Sequence, residues 1–261
     1  IRDRFISDQE KKRLIPTMDT ERKYDYSKSL SQLFEEQAEA TPDSAAYLYK
    51  NQSITYKELN IKANKIAHYL LGKGVTTGER IGICLEKSFD LMASILAVLK
   101  INGTYVPLET SYPVLRLEEI VSDTDIRFLI TNSECDKLSE YNKVKIFLDT
   151  ALEEIEDADS ANPNYGYDEN HIANIIYTSS STGKAKGVLI RTRSIVNRLN
   201  WMWEEYPFIG TDVLAMQKSA ALVAASWEIF GGLLKGVSTL LIPQDEVIDP
   251  ALLWKNIVKY K

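Results

Sequence analysis

Apolar positions in this chain recur in two rhythms, and their alternation lays out the fold. Leu30, Leu33, Phe34 and Ala38 stand at helical spacing, an amphipathic helix over 29–38 that Thr41-Pro42-Asp43 should stop. Short strand patterns at 45–49 and 52–55 flank the polar turn Lys50-Asn51. A longer helix follows over 56–71, with apolar residues at 59, 63, 66, 67, 70 and 71 and Gly72-Lys73-Gly74 at its end. Strands are then predicted over 80–85, 104–108, 126–131, 145–148, 173–177, 212–217 and 238–242. Between them lie helices over 88–100, 115–123, 193–203 and 226–234. This alternation predicts an α/β architecture with largely parallel sheets flanked by helices. Residues 153–167 are acidic, carry Asn162-Pro163-Asn164, and read as a surface loop. The polar start of the chain, with one apolar spot at Leu14-Ile15-Pro16, reads as an extended lead-in rather than core.

Composition narrows the function classes. A chain of 261 residues with 44% hydrophobic and 26% charged residues is ordinary for a globular enzyme with a full core. A net charge of −6, spread along the chain, argues against nucleic acid as a partner. No signal peptide or long apolar span is present, so a membrane is not expected and the cytoplasm is. Cys84 and Cys135 lack metal-ligand spacing and sit among apolar residues, which predicts buried free thiols. His68 and His171 are the only histidines, and neither has a Ser or Cys partner in sequence. A histidine triad and a zinc site are therefore not expected, and no metal ligands are assigned.

The chemistry concentrates after the strand at 173–177. Thr178, Ser179, Ser180, Ser181 and Thr182 put a run of hydroxyls before Gly183, and Lys184 and Lys186 follow. Hydroxyls, free backbone N–H groups and ammonium groups are what a polyphosphate needs around it. A flexible Ser/Gly linker has a similar composition, but two lysines and a preceding strand favour a phosphate-handling loop. The loop is not a classical P-loop: no glycine stands five residues before Gly183, and no Ser or Thr follows Lys184.

Several stretches read together resemble a known family. Residues 54–60 (Ile-Thr-Tyr-Lys-Glu-Leu-Asn), 99–108 and 177–187 resemble, in order, the first three core motifs of nonribosomal peptide synthetase adenylation domains. Tyr112-Pro113 with Arg116-Leu117, and Gln217-Lys218 with Trp227-Glu228-Ile229-Phe230-Gly231, match that family's connecting signatures. Residues 6–11 look like the linker that follows a condensation domain.

The resemblance implies the N-terminal core of an adenylate-forming enzyme, a superfamily shared with acyl-CoA synthetases and firefly luciferase. Residues 1–28 would be a linker from a preceding domain and 29–261 the N-terminal part of the adenylation core. Such enzymes join a carboxylic acid to ATP, with Mg2+, and pass the acyl group to a phosphopantetheine thiol on a peptidyl carrier protein domain. Thr178, Ser179, Ser180, Ser181, Thr182 and Gly183 would wrap the β- and γ-phosphates, with Lys186 adding charge. The family usually has glycine where Ser180 stands and proline where Ala185 stands. Motifs for adenine, ribose and the catalytic lysine, and the C-terminal subdomain, are expected beyond Lys261. No catalytic residue is therefore assigned within the chain, and alone it is expected to be inactive.

The same resemblance bears on the substrate. Val223, Ala224 and Trp227 fall where the family lines its acyl pocket. Amino-acid-activating members carry an aspartate shortly before the tryptophan, paired with the substrate's α-ammonium. Here the spacing is one residue shorter than usual, and the position is Ala224 from one side and Val223 from the other. Neither is a carboxylate, and a buried ammonium without a partner costs about 3–5 kcal/mol. Members with apolar residues there activate α-keto acids, often with an inserted ketoreductase, in depsipeptide synthesis. An aliphatic α-keto acid is thus the expected substrate. An ordinary α-amino acid and an inactive adenylation-like scaffold are the alternatives.

Overall fold

The computed structural model describes residues 7, 9–10, 22–168, 170–178 and 185–260. Helix α1 (Leu30–Ala40) starts at Ser29, whose hydroxyl accepts the Gln32 N–H while the Gln32 side chain accepts the Ser29 N–H. Strands β1 (Ala45–Tyr49) and β2 (Gln52–Thr55) form a hairpin. Thr55 and Glu58 make the same reciprocal cap at the start of α2 (Tyr56–Gly72). The Tyr-Lys-Glu-Leu motif is therefore a helix start.

Alternation follows as expected. Strand β3 (Arg80–Ile83), α3 (Phe89–Lys100), β4 (Thr104–Pro107), α4 (Val114–Asp123), β5 (Phe128–Thr131) and β6 (Val144–Phe147) run in sequence. Short α5 (Leu152–Glu156), β7 (Ile172–Thr178), β8 (Lys186–Arg191), α6 (Thr192–Glu205), β9 (Leu214–Met216) and α7 (Ala225–Phe230) come next. A 3-10 turn (Leu233–Lys235), β10 (Thr239–Leu241), α8 (Gln244–Ile248) and α9 (Pro250–Lys259) complete the described chain.

Two sheets result. One has the order β2-β1-β10-β9, and the other β6-β5-β3-β4-β7-β8. Every pairing is parallel except β1 with β2 and β7 with β8. Helix α3 is apolar on all sides and buried from Leu91 to Lys100. It packs against α1 and α2, and its terminal Lys100 ammonium meets the Glu35 carboxylate of α1.

Four expectations need correction. The acidic stretch 153–167 is not all loop: α5 forms because Ile155 is buried and Lys65 bonds the Glu156 carbonyl at 2.7 Å. Asn162 Oδ1 then accepts from Asn60, Asn64 and Lys100, which fixes the segment against α2 and α3. Strand β8 was not expected, because most of its side chains are exposed and show no alternating burial. The predicted helix over 226–234 breaks after Phe230 into the 3-10 turn. Helices α8 and α9 lie where no helix was expected. Asp249 caps α9 by accepting the N–H groups of Ala251 and Leu252, with Pro250 in its first turn.

Where the lead-in is described, residues 22–26 have no regular secondary structure and are mostly exposed, as expected of an extended segment. Gln9 and Glu10 are helical, and Ser7 and Glu10 exchange capping bonds. Tyr26 donates to Asn197 at 2.7 Å and Tyr24 to Glu204 at 2.8 Å, both on α6, while the Arg193 guanidinium sits over the Tyr26 ring.

Candidate functional site

Strands β7 and β8, which flank the hydroxyl-rich segment in sequence, pair antiparallel. Thr178 pairs with Lys186 at the open end of the β7–β8 ladder, and both are exposed. Ser179, Ser180, Ser181, Thr182 and Gly183 lie outside the described residues. Below this pair, Tyr177 stands opposite Gly187. A Cβ on residue 187 would come within 3.0 Å of Tyr177 Cζ and 3.1 Å of its hydroxyl, so glycine lets the ring cross. The Tyr177 hydroxyl donates to Asp123 of α4 at 2.5 Å, and Arg116 approaches the same ring. Burial, and then the Asp123 carboxylate, push the phenol well above its ordinary range. The loop therefore leaves a base anchored on α4.

The second cluster follows β9. Tight turns over 219–226 leave Leu222 and Val223 50% and 45% exposed, and Ala224 half-buried just before α7. Trp227, half-buried on α7, stacks on Phe208 with ring centroids 5.6 Å apart and planes 14° from parallel. Gly231 permits this placement, since a Cβ there would lie 2.5 Å from the Trp227 carbonyl oxygen and 2.7 Å from its ring. The structure thus groups Val223, Ala224 and Trp227 at one end of α7, with Val223 at the surface.

The neighbouring carboxylate is fully engaged. Glu228 accepts the N–H groups of Gln217 and Lys218 at 2.9 and 2.8 Å, and the Lys218 ammonium at 2.7 Å. Helix α6 connects the two clusters: it starts where β8 ends, and its Trp203 indole donates to the Gly231 carbonyl at 2.8 Å.

Sequence reasoning assigned no role to Lys87, Phe208, Asp123 or Glu228. The occurrence of Gln217-Lys218 about ten residues before Glu228 is a signal that could have exposed the Glu228 contacts. The remaining candidates are structural. His68 bonds the Ala161 carbonyl, His171 the Asn102 carbonyl, and Cys84 and Cys135 are buried and unbridged. Among the described residues no group of three or more His, Cys, Asp or Glu side chains is placed to hold a metal. None of their helices is long and apolar enough to cross a membrane.

Comparison with known proteins agrees with this layout. Residues 34–261 match the family of AMP-binding enzymes. Over 257 residues the chain is 35% identical to gramicidin S synthase 2 of Brevibacillus brevis, covering 97% of this chain and 6% of that protein. Over 229 residues it is 35% identical to tyrocidine synthase 1 of Brevibacillus parabrevis, covering 87% of this chain and 21% of that one. The chain therefore spans a small part of these relatives. Among solved structures, the N-terminal subdomain of Klebsiella oxytoca NpsA, in complex with 3-hydroxyanthranilyl-AMSN, superposes with a TM-score of 0.73 at 26% identity. That match covers 83% of this chain and 54% of that one. The AMPPNP-bound nonribosomal peptide synthetase FmoA3 shares the fold, with a TM-score of 0.82 at 22% identity over 97% of this chain and 29% of that one. The chain belongs to the AMP-binding enzyme family, with the fold of the N-terminal subdomain of adenylate-forming enzymes.

Proposed function

We propose that the chain is the N-terminal part of an adenylation domain of a nonribosomal peptide synthetase. In this reading a substrate carboxylate oxygen attacks the α-phosphorus of ATP, pyrophosphate leaves, and an acyl-adenylate forms. The acyl group then passes to the phosphopantetheine thiol of a carrier domain. The observation that supports the reading is the pairing of Thr178 with Lys186, which brings the two ends of the hydroxyl-rich segment together on an anchored base. Thr178, the segment 179–183 and Lys186 would hold the β- and γ-phosphates. Preorganised donors there stabilise the charge that develops as pyrophosphate departs. Mg2+ would arrive with the nucleotide. Residues 1–28 would be the linker from a condensation domain, and a ketoreductase is a further neighbour in this reading.

For the acid, we infer an aliphatic α-keto acid at Val223, Ala224 and Trp227. The support is twofold: positions 223 and 224 offer only hydrocarbon, and Glu228 is already occupied by Gln217 and Lys218. An α-ammonium would find no carboxylate at positions 223 and 224, whereas a keto oxygen needs none.

The test is ATP–pyrophosphate exchange by the complete adenylation domain with α-keto, α-hydroxy and α-amino acids that share one side chain. The keto acid should give the highest kcat/KM. Preference for the amino acid by about tenfold, some 1.4 kcal/mol, would make this an ordinary amino-acid domain. Exchange with none of a broad acid panel would leave a scaffold.

A further inference from the structure

We propose that Lys87 is a positioning residue for the acid pocket: its ammonium ties the ends of β9 and β10 to the end of β3 and so sets the helix that carries Trp227. The role in acid binding rests on the function proposed above.

Lys87 lies between β3 and α3, on the side of the six-stranded sheet, yet its side chain is buried and reaches the other sheet. The ammonium donates to the Gln217 carbonyl at 2.5 Å and to the Ile242 carbonyl at 2.8 Å. These residues directly follow β9 and β10, and Ile242 N–H also bonds the Met216 carbonyl. Gln217 is thereby gripped on both sides. Lys87 holds its carbonyl, and Glu228 of α7 holds its N–H at 2.9 Å.

Among the described residues no carboxylate lies within ion-pair distance of Lys87, so backbone carbonyls satisfy the charge. Burial pulls its pKa down, against the field of Glu228, Glu109 and Glu86. A buried ammonium is a costly way to join two strand ends, and hydrocarbon would fill the space at lower cost. What the ammonium adds is direction. Two charge-assisted bonds fix where Gln217 sits, and Gln217 fixes where Glu228, and hence the neighbouring Trp227, can sit. The adjoining cavity, lined by Lys87, Glu109, Ser219 and Ala221 among others, holds about 20 Å3, room for one water. The ammonium is instead taken up by the Gln217 and Ile242 carbonyls, which fits a positioning role for the lysine.

The experiment compares Lys87→Met with wild type in the complete adenylation domain and in the 261-residue chain. In the domain, KM for the acid should rise about tenfold while KM for ATP stays within about twofold. Lys87→Arg, which retains a cation, should recover part of the loss. In the chain, amide exchange should accelerate over residues 214–231 and stay unchanged in β7 and β8. Lys87→Gln keeps a donor for one carbonyl; should methionine prevent folding, it should show the same split at about threefold. Acid and ATP KM values that move together, or an acid KM that stays within about twofold, would overturn the proposal. If wild type shows no exchange with any acid, the proposed function fails. Amide exchange then still decides whether Lys87 holds the Trp227 helix, and unchanged exchange over 214–231 refutes it.

Discussion

Thr178 and Lys186 face each other as the pair that closes the β7–β8 ladder, so the lysine enters the loop from a strand rather than from a free tether. Its backbone is held by the ladder while its side chain is exposed, as is its partner Thr178. In the proposed reaction that ammonium meets charge on the departing phosphates.

Replacing Lys186 with alanine in the complete domain should then slow acyl-adenylate formation by about tenfold or more, since a charge-assisted contact contributes about 1.5–3 kcal/mol. The hairpin should survive, because residue 186 pairs through its backbone. Pyrophosphate release is the measurement. A rate equal to wild type would remove Lys186 from the phosphate site.

Gly231 and Trp227 give a prediction independent of activity. A methyl group at 231 would lie 2.5 Å from the Trp227 carbonyl oxygen, and a backbone atom cannot swing away as a side chain can. Gly231→Ala should shift the end of α7, unstack Trp227 from Phe208, and cost about 1–3 kcal/mol. Thermal unfolding should move down by about 2–4 °C per kcal/mol for a chain of this size. Indole fluorescence, referenced to Trp227→Phe, should change as well. An unaltered midpoint would mean that the helix end yields freely.

Cys84 provides a pH test of the core. Burial raises its thiol from an ordinary 9.0 to about 12. Between these values the folded chain retains a proton that the unfolded chain gives up. The contribution of Cys84 is therefore complete below about pH 9 and is lost as pH rises toward 12. Denaturant unfolding across this window should show stability falling less steeply for Cys84→Ala than for wild type. Parallel slopes would show that Cys84 titrates alike in both states.

What the sequence disclosed and what it hid have separate physical origins. Helices α1 and α2 begin within a residue or so of their expected starts because Ser29-Gln32 and Thr55-Glu58 are local caps, written in adjacent residues. Strands β3, β4 and β5 are apolar on both faces, since helices cover a parallel sheet on both sides. Strand β8 escaped because its partner, not its own pattern, holds it extended. Helix α5 escaped because one buried isoleucine anchors an otherwise acidic run. In the candidate site, motif and composition singled out the hydroxyl-rich segment and Trp227, and the structure describes Thr178, Lys186 and Trp227 of these. Lys87 was not singled out, because its partners are backbone carbonyls far along the chain, which leave no mark in sequence, and Glu228 was not, because two of its three partners are backbone N–H groups.

The last expectation concerns residues 223 and 224. Both lie at the start of α7, where the dipole of the helix favours a negative charge, and Val223 is exposed enough to accept a longer polar side chain. Val223→Asp and Ala224→Asp should therefore fold. In the complete domain, a carboxylate at the pocket position would pair with an α-ammonium and repel the electron-rich keto oxygen. At least one of the two variants should shift the ratio of kcat/KM for amino over keto acid by about tenfold or more, equivalent to some 1.4 kcal/mol. The variant that responds also decides the register left open by the shortened spacing: a response at 224 places the pocket one residue closer to Trp227 than a response at 223. Thermal midpoints close to wild type would confirm that the change lies in the pocket and not in the fold. If both variants fold, bind ATP and leave the ratio unmoved, neither position faces the α-substituent, and the keto-acid reading loses its physical basis.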